Sequence, residues 1–499
     1  MFDASYLKGE TWGFPGQSVE QVETHAAHVF LVGNRAFKIK KPIKLPYLDF
    51  SSREKRLAVL NDEFAINRVF APDIYLFVTD VLGEPVLVMR RFPAYALLSW
   101  KMAHDGISEG VARRLADMVV EAHAAAPQRN TAAAGIMMGL GAQLSKAFID
   151  SPDIFQPAAT LEFHALYEDA LSRSKMLLNR RGEDGLVRRC HGDMHAGNII
   201  VEDGTPKLFD AIEFSEKIAT IDVLYDLAFL LMDLWTHDEK RAANIILNRY
   251  LHLRRREEDL SGLALLPLFL STRAGVRALV SADLAHELPL SSSMKPRGQA
   301  LDWFRASIAF LKPARPCLVC IGGLSGTGKS TLAAGLASEI GGAPGALHVR
   351  SDVERKVLAG VADTHRLPTA SYSREASAAV YNACLARTEK ALAAGHSVVL
   401  DAVFAHAIER SSAAAAAALA SKTGADFHGF WLEATEELLK SRVTARKADA
   451  SDATADVVEK QLTYRLGPMD WHRVDASHTP AETLAAVRER LRCPSAGPA

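Results

Sequence analysis

The chain has 499 residues, of which 48% are hydrophobic, and its 58 basic and 59 acidic side chains leave a net charge of −1. A chain of this length exceeds one ordinary hydrophobic core, so we expect two or more domains. The balanced charge argues against nucleic acid as a partner, because there is no basic excess to neutralise phosphates. Five cysteines in so long a chain do not make a disulfide framework.

The apolar stretches and the amino terminus carry an expectation about location. Residues 1–6 lack the basic region and following apolar run of a secretory signal. No run of about 18 uninterrupted apolar residues occurs in the sequence, so no membrane-spanning helix is predicted. We therefore expect a cytoplasmic protein without a membrane partner.

Residues 20–95 predict short strands around one helix. The alternation in Ala36–Lys40 puts Lys38 and Lys40 on one face of a strand, and the periodicity of Arg53–Phe70 predicts a helix that carries Glu63. A strand lysine and a helix glutamate match the amino-terminal lobe of a kinase, where the lysine holds the α- and β-phosphates of ATP. Lys38 fits that pattern best and Lys40 is the alternative. A solvated strand face is the competing interpretation of both lysines.

Helical periodicity then dominates as far as about residue 188. The next segment carries the residues from which we predict kinase chemistry. Residues 191–198 read His-Gly-Asp-Met-His-Ala-Gly-Asn, and we call them the catalytic loop. Asp193 and Asn198 lie five residues apart in it, and Asp210 follows after a short apolar run. Kinases use an Asp, an Asn and a second Asp at this spacing, one as the base for the acceptor hydroxyl and two as Mg²⁺ ligands. Asp222 and Asp226, which follow, are predicted to orient the loop.

These residues resemble the aminoglycoside and choline phosphotransferase group of small-molecule kinases over roughly residues 20 to 310. The resemblance implies that Asp193 is the base, that Asn198 and Asp210 bind Mg²⁺, and that Lys38 and Glu63 position ATP. Members of the group phosphorylate hydroxyls of antibiotics, choline, sugars and other metabolites, so the resemblance does not identify the acceptor.

A second phosphate-binding pattern follows a proline-containing linker, residues 312–316. The apolar strand Cys317–Ile321 leads into G-x-x-x-x-G-K-S, the phosphate-binding loop or P-loop, before an Ala/Leu-rich helix. Its glycines let backbone N–H groups face phosphates, Lys329 reaches the β- and γ-phosphates, and Ser330 reaches Mg²⁺. The predicted nucleotide-binding residues are Gly323, Leu324, Ser325, Gly326, Thr327, Gly328, Lys329, Ser330 and Thr331.

Further charged residues follow the P-loop at the ends of predicted elements. Asp352 ends a second strand, and Arg355 lies one helical turn further on. Asp401 ends an apolar strand, as the Mg²⁺-associated carboxylate of P-loop proteins does. Arg442 and Arg446 are four residues apart on a predicted helix, which suits a lid that closes over phosphate. A solvated helix is the competing interpretation of these two arginines.

The second region resembles the small-metabolite P-loop kinases, such as gluconate and shikimate kinases, and more loosely the zeta-toxin kinases, over about residues 316 to 492. The resemblance implies that Asp352 and Arg355 hold or activate the acceptor hydroxyl, and that Arg442 and Arg446 form the lid. No GTPase-type N-K-x-D base reader is evident in the sequence, which favours ATP.

The sequence therefore predicts a multidomain protein of α+β and α/β class. A protein-kinase-like bilobal domain occupies residues 1–312, and a P-loop NTPase domain with a parallel sheet occupies 313–499. The whole resembles bacterial fused proteins with an aminoglycoside phosphotransferase-like domain followed by an ATP-binding domain. The predicted activity is phosphoryl transfer from ATP, with Mg²⁺, to a small-molecule hydroxyl at each site. In one alternative the P-loop domain is a regulatory nucleotide sensor, and in another the first domain is a binding pseudo-kinase.

Overall fold

The computed structural model of the protein describes residues 4–24, 26–45, 48–129, 131–420, 425–445 and 450–492. Its amino-terminal elements are β1 (Glu20–Glu23), β2 (Ala27–Val32), β3 (Arg35–Lys40), β4 (Lys44–Leu45), β5 (Leu48–Asp49), α1 (Arg53–Phe70), β6 (Tyr75–Val81) and β7 (Glu84–Arg90). Five of the strands form an antiparallel sheet in the order β1-β2-β3-β7-β6. The predicted strands and the predicted helix are confirmed.

The central strands of the amino-terminal sheet are covered on both faces. Trp12 stacks on Phe30 and Phe37 of one face, with ring centroids 5.1 and 4.5 Å apart. On the other face, Leu60 of α1 packs in a cluster with Leu87 of β7. Because side chains alternate along a strand, Phe37 on the first face places the neighbouring residue of β3 under α1. The lysines of β3 therefore face the helix that carries Glu63.

The following region is mostly helical. Its elements are α2 (Leu98–His104), α3 (Glu109–Ala125), α4 (Ala133–Asp150), α5 (Pro157–Glu183), β8 (Val187–Arg189), β9 (Ile199–Glu202), β10 (Thr205–Leu208), α6 (Glu216–Ala219), β11 (Thr220–Asp222), α7 (Val223–Thr236), α8 (Lys240–Arg254), α9 (Glu257–Gly262), α10 (Leu266–Glu287) and α11 (Leu290–Leu311). The antiparallel hairpin β9–β10 separates the catalytic loop from Asp210. The hairpin thus sets the spacing that the sequence shows between Asn198 and Asp210.

One apolar stretch needs a separate description. Among the described residues, Glu257–Glu287 is long and apolar enough to cross a membrane by length and composition alone. However, 67% of its most apolar window is buried inside the protein, and Phe269 is fully buried. This burial is the pattern of a core helix. The stretch is not one uninterrupted apolar run, because Arg273 and Arg277 interrupt it.

The carboxy-terminal elements build a parallel sheet. They are β12 (Cys317–Gly323), α12 (Lys329–Ala337), β13 (Leu347–Arg350), α13 (Ser351–Leu358), α14 (Arg374–Ala393), β14 (Val398–Asp401), α15 (Ala407–Ala420), β15 (Asp426–Glu433), α16 (Glu436–Ala445), α17 (Ala455–Leu462), β16 (His472–Asp475) and α18 (Pro480–Arg492). All pairings in the order β13-β14-β12-β15-β16 are parallel. The carboxyl ends of the strands therefore share one edge, where ligands of such sheets bind. The predicted parallel α/β sheet is confirmed.

The chain divides into two compact units that are not contiguous in sequence. The first comprises residues 1–146 and 175–242, and the second comprises 147–174 and 243–499. The helices of residues 243–311 therefore group with the P-loop sheet by packing. The boundary predicted between residues 312 and 313 concerns the succession of domains along the sequence, and it stays a prediction.

A buried ion pair in the first unit generates a test of stability. Arg181 on α5 donates from Nε and Nη2 to the two carboxylate oxygens of Asp222, at 2.7 and 2.8 Å, and both side chains are buried. Arg181→Leu leaves the Asp222 carboxylate buried without this partner. We expect a loss of about 3–5 kcal/mol in the free energy of unfolding, measured by urea denaturation.

The matched control is Arg173→Leu on the same helix. Arg173 forms an exposed ion pair with Asp169, and such pairs contribute less than about 1 kcal/mol. Equal losses in the two variants would contradict the assignment of stability to the buried pair.

Candidate active sites

The first site forms around the two lysines of β3. Lys38 Nζ lies 2.6 Å from Glu63 Oε1 and 2.9 Å from Asp210 Oδ1. Lys40 Nζ lies 2.7 Å from Glu63 Oε2 and 2.6 Å from Glu213 Oε1. Both lysines thus share the buried Glu63 carboxylate. Lys38 is the one that also contacts the predicted metal ligand Asp210, which favours Lys38 over Lys40 as the phosphate-contacting residue.

The charges around Lys38 keep this group and Asp210 ionised. Burial would lower the pKa of Lys38, but Asp210 and Glu63 outweigh it and hold that pKa well above its usual value. Burial would likewise raise the pKa of Asp210, but the neighbouring Lys38 outweighs it and holds the pKa below its usual value. Asp210 is therefore a carboxylate at neutral pH, the form that Mg²⁺ binds.

The backbone around Asp210 is held by residues that the sequence analysis did not identify. Asp210 has a φ of 60°, in the left-handed region, and its N–H donates to Tyr75 Oη at 2.9 Å. The next N–H, of Ala211, donates to Asn67 Oδ1 at 2.7 Å. Asn67 lies on α1 one turn after Glu63. One helix therefore holds both Lys38 and the segment that carries the predicted metal ligand Asp210. Helical spacing puts Asn67 on the same face as Glu63, but it does not reveal the contact with Ala211, which lies 144 residues away.

Asp193 and Asn198 lie side by side in the catalytic loop. Asn198 Nδ2 donates to Asp193 Oδ2 at 2.8 Å and to the Asp193 carbonyl at 3.0 Å. Since Asn198 Nδ2 donates to Asp193, Oδ1 is the Asn198 atom left for the predicted Mg²⁺ ion. His195 Nε2 lies 3.5 Å from the same Asp193 oxygen. The Asp193 side chain is 37% exposed, which suits a group that must reach an acceptor hydroxyl.

Two aspartates of α7 hold the catalytic loop. Asp226 accepts hydrogen bonds from the N–H groups of His191 and Gly192, at 3.3 and 3.0 Å. Asp233, two turns further on, accepts from Ala196 N–H at 2.8 Å. The orienting role predicted for Asp226 matches this geometry, and Asp233 was missed. For Asp222 the predicted orienting role is indirect: Asp222 caps the amino terminus of α7, accepting from Leu224 N–H, and its strand β11 pairs with β8, which leads into the loop.

The second site is a cavity of about 1360 Å³ in the P-loop region of the second unit. It is lined by the predicted residues Ser325, Gly326, Gly328, Lys329, Ser330, Thr331, Asp352, Arg355 and Asp401. The predicted residues Gly323, Leu324 and Thr327 lie outside the lining and support the loop from behind. Thr327 Oγ1 donates to the Leu324 carbonyl at 2.8 Å, and Gly323 N–H donates to the Val403 carbonyl at 3.1 Å.

The P-loop backbone has the conformation that a phosphate cradle requires. Gly326 and Gly328 have φ values of 88° and 90°, which favour glycine. A Cβ on Gly326 would lie 2.6 Å from the Leu439 carbonyl oxygen, so no larger residue fits there. Gly328 caps the amino terminus of α12, whose positive end attracts phosphate. These residues fit the triphosphate of a nucleotide.

Two of the carboxylates that line the cavity, Asp401 and Asp352, have pKa values shifted in opposite directions. Burial would raise the pKa of Asp401, but the imidazole of His348, whose Nε2 lies 3.8 Å from Asp401 Oδ2, and the charge of Lys329 outweigh it, and the pKa is lowered. For Asp352, burial and then the negative charge of Asp401 raise the pKa above its usual value. Opposite shifts in a carboxylate pair distinguish their roles. Asp401 suits a metal ligand, and Asp352 suits a proton acceptor.

Arg355 lines the cavity beside Asp352, but part of its guanidinium is already engaged. Its Nη1 donates to the Ser371 carbonyl at 2.7 Å, and its guanidinium carbon lies 4.6 Å from the centre of the Tyr372 ring. The sequence analysis missed Gln461, whose Oε1 accepts from Ser325 N–H at 2.7 Å and so holds the P-loop from α17.

The arginine lid predicted on α16 needs a correction. Arg442 donates to the carbonyls of Ala476 and His478, at 2.8 and 3.1 Å, and it does not line the cavity. Its guanidinium thus ties α16 to the segment after β16, because the helix presents that side to neighbouring backbone and not to the phosphates. Arg446, the second predicted lid residue, lies outside the described residues.

Comparisons with known proteins match the two segments of the chain that contain these sites. Residues 39–266 match the family model of the phosphotransferase enzyme family, and residues 318–468 match a model described as an AAA domain. The chain is an ATP-dependent kinase with a phosphotransferase domain followed by a P-loop kinase domain, as the two resemblances predicted.

Sequence relatives extend over almost the whole chain. Uncharacterized proteins of Mycobacterium tuberculosis and Mycobacterium bovis are 30% identical to it over 476 residues, which is 91% of this chain and 92% of theirs. The chain belongs to one family with these mycobacterial proteins.

Solved structures match its parts separately. A gluconokinase from Sinorhizobium meliloti 1021 is 21% identical, with a TM-score of 0.25, and covers 35% of this chain and 95% of its own. A choline/ethanolamine kinase family protein from Mesorhizobium loti is 15% identical, with a TM-score of 0.37, and covers 59% of this chain and 92% of its own.

The two lysines of β3 generate a prediction. In a protein whose P-loop site is silenced by Lys329→Ala, Lys38→Ala should lower kcat/KM for ATP by about 100-fold, because a preorganised charge at the phosphates is lost. Lys40→Ala should cause a clearly smaller loss, since Lys40 contacts Glu63 and Glu213 and not Asp210. The measurement is ATP turnover at varied MgATP. A larger loss in Lys40→Ala would assign the phosphate contact to Lys40.

Proposed function

We propose that the protein is a bifunctional small-molecule kinase in which each site transfers the γ-phosphoryl group of ATP to a hydroxyl of its own acceptor. One observation carries the proposal: each site groups a carboxylate suited to accept a proton, oxygen ligands for Mg²⁺ and a lysine for the phosphates. In the first site these are Asp193, Asn198 with Asp210, and Lys38. In the second site they are Asp352, Ser330 with Asp401, and Lys329.

In the first site, the donor set fits Mg²⁺ because the Asn198 amide oxygen and the ionised Asp210 carboxylate are hard oxygen ligands. Bound Mg²⁺ supplies neutralisation of the phosphate charge that grows during transfer. Lys38, oriented by Glu63, holds the α- and β-phosphates. Asp193 accepts the proton of the acceptor hydroxyl as its oxygen bonds to the γ-phosphorus. The bond from that phosphorus to the β–γ bridging oxygen breaks, and ADP leaves.

In the second site, the P-loop N–H groups and Lys329 hold the β- and γ-phosphates, and Ser330 and Asp401 are the oxygen ligands that fit Mg²⁺. Asp352 takes the proton from the hydroxyl of the acceptor molecule, and Arg355, next to Asp352, contacts the same molecule. A cavity of about 1360 Å³ exceeds the roughly 300–1,000 Å³ of a typical single-ligand pocket. This size supports room for both ATP and a metabolite-sized acceptor.

A product screen tests the assignment of two activities. Wild type, Asp193→Ala and Lys329→Ala are each incubated with a metabolite library and γ-labelled ATP. Each variant should lose one set of labelled products and keep the other, because the two substitutions remove the base of one site and the phosphate contact of the other.

The regulatory alternative, in which the P-loop domain only senses nucleotide, makes a different prediction for the same screen. Lys329→Ala would then change the amount of every product that depends on Asp193 and would remove no separate set. Asp352→Ala provides the second discrimination. A sensor should be indifferent to it, whereas a second kinase should lose the products that depend on Lys329.

The raised pKa of Asp352 generates a pH prediction. A base must be deprotonated, so a raised pKa makes the second site lose activity on acidification earlier than a carboxylate at the ordinary value of about 3.9 would. In the Asp193→Ala protein, kcat for the P-loop products should therefore fall at acidic pH with an apparent pKa above that value. Asp352→Asn should remove this fall together with most of the activity. An apparent pKa at or below the ordinary value would contradict the role of Asp352.

A further inference from the structure

The outer edge of the P-loop sheet is covered by side chains of α8. β13 is the edge strand and pairs with β14 alone within the described sheet. Asn248 accepts from His348 N–H at 2.7 Å and donates to the Ala346 carbonyl at 3.1 Å. Asn244, one turn earlier, donates to the same carbonyl at 2.9 Å. The helix thus satisfies the edge groups that a further strand would otherwise satisfy.

Beyond the strand, the same helix reaches α13. Arg255 follows the last residue of α8 and donates from Nη1 to both carboxylate oxygens of Glu354, at 2.8 and 2.9 Å. His252 Nδ1 accepts from Arg255 Nη2 at 2.8 Å, and its Nε2 lies 2.9 Å from Asp363 Oδ2. The guanidinium is therefore held on two sides. Arg387 of α14 is a second partner of Glu354, at 3.3 Å.

The backbone conformation of Arg255 also indicates that its contacts hold it in place. Its φ is 49°, in the left-handed region that favours glycine after a helix. A larger residue persists in this conformation where the surrounding contacts hold it. The contacts of Arg255 with Glu354 and His252 are such contacts.

The position of Glu354 connects the contact to the second active site. Successive residues of a helix are about 100° apart, so Glu354 lies roughly opposite Asp352 on α13. Asp352 and Arg355, three residues apart, line the cavity, while the buried Glu354 faces Arg255 and Arg387. Fixing the back of this two-turn helix fixes where its front side chains lie.

We propose that Arg255 is a positioning residue of the P-loop acceptor site. Through Glu354 it fixes the start of α13 and thereby the distance of Asp352 from the transferring phosphoryl group. Arg255 lies outside the matched P-loop segment, residues 318–468, so the helical region contributes to chemistry performed on the sheet. The inference rests on the proposed second kinase site.

The test uses the full-length Asp193→Ala protein, in which the first site is silent, and MgATP as the probe. Arg255→Gln should increase deuterium exchange in residues 351–358 and leave residues 329–337 unchanged, because α12 has no part in the contact. It should lower kcat of ATP turnover on the order of tenfold to 100-fold, as a small misplacement of a reacting group does. KM for ATP should stay unchanged, since the phosphate cradle does not include α13.

Two variants complete the test. Arg255→Lys keeps the charge beside Glu354 but loses the second nitrogen that contacts His252, so it should recover part of kcat. Arg256→Gln is the matched control, because the Arg256 side chain has no hydrogen bond or ion pair within the described part of the chain, and it should behave as the parent protein.

The outcomes separate this inference from the proposed function. Unchanged exchange in residues 351–358, or exchange that changes without kcat, overturns the positioning role. A rise in KM for ATP with kcat unchanged overturns it as well. If the parent protein has no ATP turnover that Lys329→Ala removes, the second kinase site itself fails and the positioning role fails with it.

Discussion

The charge cluster of Lys38, the buried Glu63 and Asp210 imposes the constraint on which the first unit depends. A carboxylate as buried as Glu63 is stable only when cations and donors surround it, so β3, α1 and the segment after β10 have to meet at one point. The same meeting places Lys38, the proposed phosphate-binding lysine, against Asp210, the proposed metal ligand. The catalytic loop is then fixed from the other side by Asp226 and Asp233. Stability and chemistry in this unit therefore use the same contacts.

The second site depends on a different constraint, the convergence of parallel strands. Because all strands of the sheet point the same way, the P-loop after β12, Asp352 after β13 and Asp401 at the end of β14 reach one edge of the sheet. Asp352 and Asp401 then influence each other, and Lys329 and His348 favour the ionised form of Asp401. The two sites thus present the same proposed combination of a base, metal ligands and a lysine on two different folds.

The sequence predicted the parts of each site that are local. The five-residue interval from Asp193 to Asn198 and the P-loop pattern are fixed by turns of the backbone itself, so spacing alone identifies them. Asn67 and Gln461 were missed because their partners lie 144 and 136 residues away, and nothing in their own segments marks the contact. Arg442 was placed wrongly because helical spacing tells which residues share a face, but not what that face meets.

The asparagine contacts along β13 have a consequence for how such a protein can be divided. A segment that begins at the linker, residues 312–316, would carry the whole nucleotide cradle, yet it would leave the backbone edge of β13 bare. Bare edges invite pairing with other chains. The carboxy-terminal half is therefore not a module that can be excised or recombined at the boundary its motifs suggest. A fragment of the second unit that keeps these hydrogen bonds has to include Asn244 and Asn248 of α8.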